Sequence, residues 1–321
     1  MRDLLSDLLE DVRPHGALFD HSFLRPPWSL RFEHGAPLTL ITLLHGNGWV
    51  TPEGEPSVPI VDGDVAIVVG LAPYTISDRP NAAPTLVVHG ADVCTTLDGC
   101  GVQEVPDLCS LSSGDMDGST VLLEARYQAE GSICDRVLRG LPRLLVVPSD
   151  VLPPPGVDMI VAELTRPRAG RQAILDRLLD LLLISTLREW LDTPSSSTPA
   201  WYRAQADPVV GPVLRLIHDD PAYSWTVGAL ADNVTVSRAT LARRFSELVG
   251  EPPMSYLTCW RLCLAADLLE RTDATVDAIA RQVGYANAYA LSVAFKRVNG
   301  IRPTDHRRLQ RAGGAMPAMR A

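Results

Sequence analysis

TVGALADNVTVSRATLARRFSELVG at residues 226–250 and TVDAIARQVGYANAYALSVAFKRVNG at residues 275–300 are two copies of one pattern. Thr226, Val227, Ala229, Leu230, Ala231 and Val234 match Thr275, Val276, Ala278, Ile279, Ala280 and Val283, each 49 positions further on. One extra residue enters near Ala286, after which Leu241, Phe245, Gly250 and Pro253 match Leu291, Phe295, Gly300 and Pro303 at a spacing of 50. An apolar pattern that recurs with a slip only at its turn marks one supersecondary unit used twice. Val227, Leu230, Ala231 and Val234 share one helical face. The run from Asn233 to Val236 is too short and too β-branched to continue that helix. Ser237 then offers an N-cap oxygen to a second helix, and Asn287 holds the same place in the second copy. Gly250 and Gly300 close the second helices, each with a proline three residues later as a stop. Two short helices around a brief turn make the arrangement whose second helix lies in the DNA major groove.

At 3.6 residues per turn, Leu241 and Phe245 define the buried side of the first reading helix. Ala239, Arg243 and Ser246 then face the groove, flanked by Thr240 and Ala242, with Ser237 at the helix start. The second copy presents Tyr289, Val293 and Lys296, flanked by Ala290, Ser292 and Arg297, with Asn287 at its start. Arg243 suits a bidentate contact to guanine, worth about 1–3 kcal/mol of discrimination. Val293 stands where the first copy has Arg243 and can touch only thymine methyls, so the second unit is expected to read fewer bases. Lys296, the only lysine in the chain, and Arg297 suit phosphates, which position without specifying.

These residues, the joining stretch SYLTCWRLCLAADLLERTDATV and the tail IARQVGYANAYALSVAFKRVNGIRPTDHRR closely resemble the DNA-binding domain of the arabinose-operon regulator (AraC/XylS) family. The resemblance covers about a third of the chain. It implies two helix-turn-helix units joined by a long helix, about Pro253 to Glu270, that offers both reading helices to successive major grooves. The chain departs from the family where Leu291 replaces a frequent aromatic and Val293 a frequent basic residue.

Charge divides with the pattern. From Val209 onward there are 14 Lys and Arg against 10 Asp and Glu, a balance of +4. Taken from the chain's 29 and 38, this leaves 15 against 28 before it, or −13 of the total −9. A basic C-terminal part on an acidic chain fits one DNA-binding half and one half that avoids nucleic acid. No apolar run reaches the 18 or so residues of a membrane span, and RDLLSDLLEDVR at the start is charged and amphipathic, unlike a secretion signal. A cytoplasmic protein is expected, with its 6 cysteines reduced rather than forming a disulfide framework.

Residues 15–150 change character: LTLITLLHG, DVAIVVG, PTLVVHG and RLLVVP alternate with Gly, Pro, Asp and Asn turn signals, the spacing of an all-β sandwich or barrel. RPPWSLRF followed by VDGDVAIVVGLAPYTIS resembles the cupin-like N-terminal domain of many regulators in the same family. Tyr74 stands where the cupin pattern has its second-motif histidine, and His34, His45 and His89 form no His-x-His pair, so each reads as a surface or packing residue and oxygenase catalysis is not expected. Cys94, Cys100, Cys109 and Cys134, with His89 nearby, are candidates for a metal or iron–sulfur site or a redox disulfide; no other cofactor is implied. Cys259 and Cys263, four apart beside Trp260 and Leu264, read as core packing.

RQAILDRLLDLLLISTLREWL at 171–191 is an amphipathic helix whose Ile174, Leu178, Leu181, Leu182, Ile184 and Leu191 exceed one narrow stripe, a candidate dimer seam. DTPSSSTPAW at 192–201 is linker-like. The expected organisation is an α+β multidomain chain. A cupin-like β-barrel or sandwich at 1–165 precedes a flanking dimerisation helix at 166–192 and a linker at 193–207. An all-α domain with two helix-turn-helix units follows at 208–312, its first helix running from Pro208 to His218. The function expected is that of a homodimeric, sequence-specific regulator that binds double-stranded promoter DNA, engages RNA polymerase and senses an effector, metal or redox signal. Two alternatives stay open: a cupin oxygenase fused to a DNA-targeting module, and an effector-independent DNA binder.

Overall fold

A computed structural model describes residues 12–14, 20–89, 94–96, 101–102, 120–129, 136, 138–150, 156–165, 169–193 and 198–311. They divide into two compact units, one spanning Val12–Ala129 and Leu141–Ser197, the other containing the residues from Thr198 onward together with Arg136 and its described neighbours before Leu141.

The first unit is a two-sheet β-sandwich. Its strands are β1 (Val12–Pro14), β2 (Asp20–Leu24), β3 (Ser29–Phe32), β4 (Leu38–His45), β5 (Asn47–Pro52), β6 (Val58–Val61), β7 (Val65–Val69), β8 (Tyr74–Ser77), β9 (Leu86–Val88), β10 (Cys94–Thr95), β11 (Gly101–Val102), β12 (Thr120–Ala129) and β13 (Leu144–Val147). One sheet runs β1-β12-β4-β7-β13, with β2 also on β12; the other runs β11-β10-β9-β3-β8-β5-β6. Alternation along the strands aims Ile41 and Leu43 of β4, Ala66 and Val68 of β7 and Leu122 of β12 at Leu30, Phe32, Val50, Tyr74 and Ile76 of the facing sheet. The opposite face of the first sheet is buried too, because a helix covers it: Tyr127 on β12 donates to the Leu179 carbonyl at 2.9 Å. This explains why β7 is an unbroken apolar run and why β4 is buried without alternation from Leu38 to Leu43, Thr39 and Thr42 included.

The covering helix, α2 (Arg171–Asp192), follows a shorter one, α1 (Val157–Thr165). α2 buries Leu175, Leu178, Leu179, Leu182, Leu183, Leu187 and Leu191, each worth about 2 kcal/mol of apolar burial. Ile174 and Leu181, seven apart, stay on its outer face at 41% and 47% exposure.

The second unit is all helical: α3 (Ala200–Gln205), α4 (Val210–Asp219), α5 (Val227–Asn233), α6 (Arg238–Val249), α7 (Pro253–Arg271), α8 (Val276–Gln282), α9 (Ala288–Asn299) and α10 (Pro303–Arg311). The stretch expected as linker, 193–207, contains α3, which packs against α6. Six residues are too few to show a helical period in sequence, so the Pro and Ser flanks dominated the reading. Asp207 completes the correction: its carboxylate caps α4 by accepting from Val209 and Val210 N–H at 2.9 Å each, and it takes Arg244 of α6 in a bidentate pair. Pro253 and Pro303 do more than stop the preceding helices. Each is the first residue of the next one, where its missing N–H is no loss.

α7 joins the two helix-turn-helix units. Its Leu262, Ala265, Ala266 and Leu269 form one core with Ile279, Ala280 and Val283 of α8 and Leu291 and Phe295 of α9. The repeat reaches past the glycines: Phe245 meets Tyr256 edge-on at 5.7 Å, and Phe295 meets His306, 50 residues after Tyr256, edge-on at 5.4 Å. His306 is fully buried and bonds Glu270 at 2.9 Å, tying α10 back to α7.

Candidate nucleic-acid interface

The caps expected from sequence are present. Ser237 Oγ accepts from Thr240 N–H at 3.1 Å, and Asn287 Oδ1 accepts from Ala290 N–H at 2.9 Å. Thr226 and Thr275 cap α5 and α8 in the same way, at 3.1 and 3.2 Å. Gly250 and Gly300 close the reading helices in the left-handed region, at φ +89° and +76°. Each reading helix is thus fixed at both ends by its own residues and by one buried leucine and phenylalanine in its middle, Leu241 with Phe245 and Leu291 with Phe295. The turn between paired helices passes through positive φ in both units, at Thr235 (+55°) and, 49 residues on, at Gly284 (+85°).

On α6, Ala239, Thr240 and Arg243 are exposed and Ser246 is half-buried. Arg243 is not free in solution: its Nη1 donates to both carboxylate oxygens of Glu247 at 2.8 and 2.9 Å, one turn on. Arg238, one residue after the cap, is also exposed, and its guanidinium lies over Gly228, close enough that a Cβ there would stand 2.9 Å from Nε. Sequence reasoning missed both, although the four-residue Arg–Glu spacing was a visible signal. Arg244 points the other way and serves the fold through Asp207.

On α9, Tyr289 is 79% and Val293 54% exposed, with Lys296 and Arg297 exposed and Ser292 half-buried. Asp277 of α8 accepts the Ala288 N–H at 3.2 Å and pairs with Arg281, so the entry to this helix is held by a carboxylate from its neighbour.

The candidates in the β unit separate. Cys94 packs at the edge of the sandwich core, and His89 bonds the Thr95 hydroxyl at 2.9 Å; Cys100, Cys109 and Cys134 lie outside the described residues. Among the described residues no three His, Cys, Asp or Glu side chains are arranged to hold a metal ion. His34 is less isolated than its sequence context suggests. Its Nδ1 accepts from Ala36 N–H at 3.1 Å, which leaves the proton of the neutral ring on Nε2 to donate to Glu124 Oε1 at 2.8 Å. Tyr74 donates to the same oxygen at 2.8 Å and stacks on Phe32. Burial, then the Glu124 charge, pushes the Tyr74 phenol well above its ordinary range, so it keeps its proton. Glu124 Oε2 and the Nε and Nη2 of Arg126, two residues along β12 and on the same face, are buried with no hydrogen-bond partner among the described residues.

Comparison with known proteins agrees with both halves. A cupin family model matches residues 3–192, and a helix-turn-helix domain model matches residues 230–309. The chain is 32% identical over 311 residues to an AraC-like transcription regulator of Streptomyces lividans, covering 95% of this chain and 98% of that one. It is 26% identical to the transcriptional regulator AlkR of Acinetobacter baylyi over 314 residues, 95% of this chain and 99% of the other. Among solved structures, the DNA-binding domain of the global transcriptional factor AdpA in complex with target DNA is 32% identical, covering 34% of this chain and 96% of that one at a TM-score of 0.32. The chain belongs to the AraC family of DNA-binding transcription regulators, with a cupin domain ahead of its paired helix-turn-helix units.

Proposed function

We propose that the chain is a sequence-specific regulator that reads promoter DNA with α6 and α9, and that it regulates rather than catalyses. One observation carries this reading: two end-capped helices hang on the single helix α7, one offering Arg243 and the other Tyr289 and Val293 to solvent. Arg243 reads a guanine, releasing Glu247 as it does so. Ala239 and Thr240 approach neighbouring bases, with Ser246 at the edge of the face. Tyr289 and Val293 meet thymine methyls, Ser292 flanks them, and Lys296 and Arg297 hold phosphates. Ser237 and Asn287 sit where each helix N-terminus meets the backbone.

The β unit receives the signal in this reading. Glu124 and Arg126, an ion pair at 3.8 Å whose Glu124 Oε2 and Arg126 Nε and Nη2 are buried and make no hydrogen bond among the described residues, favour a small polar effector over an apolar one. Two chains pair through the outer face of α2, where Ile174 and Leu181 are exposed, and the dimer engages RNA polymerase at promoters in the cytoplasm. Among the described residues no helix is long and apolar enough to cross a membrane.

Binding-site selection from a random duplex library with the full chain tests the reading. The expected result is two sub-sites roughly 10 base pairs apart, the stronger containing a G·C pair. Recovery of no motif would overturn it.

A further inference from the structure

The helical unit holds a reactive group that DNA reading does not use. Cys259 and Cys263 stand one turn apart on α7, the helix that carries both reading units. Cys263 is 1% exposed and packs as sequence suggests. Cys259 departs from that expectation: it is half-buried and faces Arg136, a residue 123 positions earlier in the chain that belongs to the same compact unit. Arg136 Nη1 lies 2.7 Å from Cys259 Sγ and donates to it, while Nη2 donates to Glu251. The guanidinium carbon sits 4.8 Å from the centre of the Tyr256 ring, and Tyr256 in turn bonds His218 at 2.8 Å. An open cavity of about 290 Å³ adjoins this group, lined by Arg136, Arg139, Trp201, Val249 and Tyr256.

This is an arrangement for holding a thiolate. A guanidinium fixed by a carboxylate and an aromatic face has no reason to aim at a neutral thiol, which accepts hydrogen bonds poorly. The neighbouring Cys263 has its thiol pushed up, first by its hydrogen bond to Cys259 and then by burial, so it keeps its proton and donates. That hydrogen bond, and then Arg136, pull the Cys259 thiol down to about 6 against the opposing effect of burial. The thiolate is then the favoured form of Cys259 at neutral pH.

We propose that Cys259 is a peroxide-reactive cysteine, with Arg136 holding its thiolate and Cys263 donating a hydrogen bond to it. The sulfur attacks one oxygen of hydrogen peroxide, the O–O bond breaks, and the departing hydroxide takes a proton from solvent to become water. Sulfur is oxidised by two electrons to the sulfenic acid, and peroxide is reduced. The product does not pass on to a disulfide with Cys263, because Cβ atoms one helical turn apart are about 5–6 Å distant and a disulfide needs roughly 3.5–4.5 Å. It is recovered by a small thiol, which first displaces water to form a mixed disulfide and then, with a second thiol, releases the Cys259 thiolate and the thiol's own disulfide.

The test is independent of DNA binding and so stands apart from the function proposed above. The full chain is treated with equimolar hydrogen peroxide and dimedone, and adduct formation at each cysteine is followed by peptide mass spectrometry. Cys259 should label in the wild type and in Cys263→Ser, and about fivefold more slowly in Arg136→Ala. Arg136→Lys, measured beside it in case the alanine loosens α7, should keep the faster rate. Labelling of Cys259 no faster than that of buried Cys263, or a rate unchanged in Arg136→Ala, overturns the proposal.

Discussion

On the first reading helix Arg243 stands outward with Glu247 clasping it; 50 residues on, the second presents Val293 beside an exposed Tyr289. Beneath the surface the two units are nearly interchangeable: threonine caps, a leucine and phenylalanine pair, a left-handed glycine, an edge-on aromatic contact. Where they differ again is at the entry to the reading helix. Gly228 in the first unit leaves room for the Arg238 side chain; Asp277 in the matching place of the second accepts the N–H of Ala288. The residues that make a helix-turn-helix are held in common, and those proposed to touch DNA, or that tune the turn, are free to diverge. In the proposed reading, one unit serves hydrogen-bond readout and the other apolar contact and anchoring.

The turn separates them most sharply. Gly284 lies at φ +85° with the Ala222 backbone 2.9 Å and the Arg261 side chain 2.8 Å from where a Cβ would sit. Gly284→Thr, which imports the first unit's residue, should cost about 4 kcal/mol, read as a lowered urea midpoint. A loss under about 1 kcal/mol would mean the two turns are equivalent after all.

Acid should strain the first unit's side of the domain. His218 packs 4.4 Å from Trp260, and burial, then the Arg136 charge, pulls it down to about 4 from its ordinary 6.5. Between those values the unfolded chain takes up a proton that the folded chain refuses. Its contribution is therefore complete above pH 6.5 and falls with acid, by about 3 kcal/mol at most. His218→Gln should flatten the pH dependence of the urea midpoint between pH 6.5 and 4; an unchanged slope would remove His218 as its source.

Arg243→Ala should weaken binding to the selected site by about 2 kcal/mol and relax preference at one base pair, whereas Val293→Ala should cost under about 1 kcal/mol. Equal losses in a gel-retardation titration would erase the functional contrast. Smallest is the reverse turn exchange. Thr235 is β-branched at φ +55°, so Thr235→Gly should raise stability by about 0.5–1 kcal/mol, measured in the same urea series.

The helical unit was largely readable because its signals are local. Leu241 and Phe245 repeat within one turn, and Ser237 and Asn287 reach donors three residues away. What stayed hidden joins distant segments: His34 with Glu124 lies 90 residues apart, Arg136 with Cys259 123, and no periodicity reports such pairs. α2 was legible as a helix, yet its buried and open faces were not, since which leucines are covered depends on where Tyr127 and its sheet lie. α3 was lost for a different reason, being shorter than two turns and flanked by residues that signal loops.

The 19 residues of α7 make a rod about 28 Å long, held along its length by the backbone hydrogen bonds of a helix. Such a strut neither extends nor unwinds cheaply, so under the proposed function a promoter has to match it in phase as well as in letters. Two base pairs inserted between the sub-sites would swing one of them roughly 70° around the duplex axis. The burden of adjustment would then fall on twisting or bending the DNA.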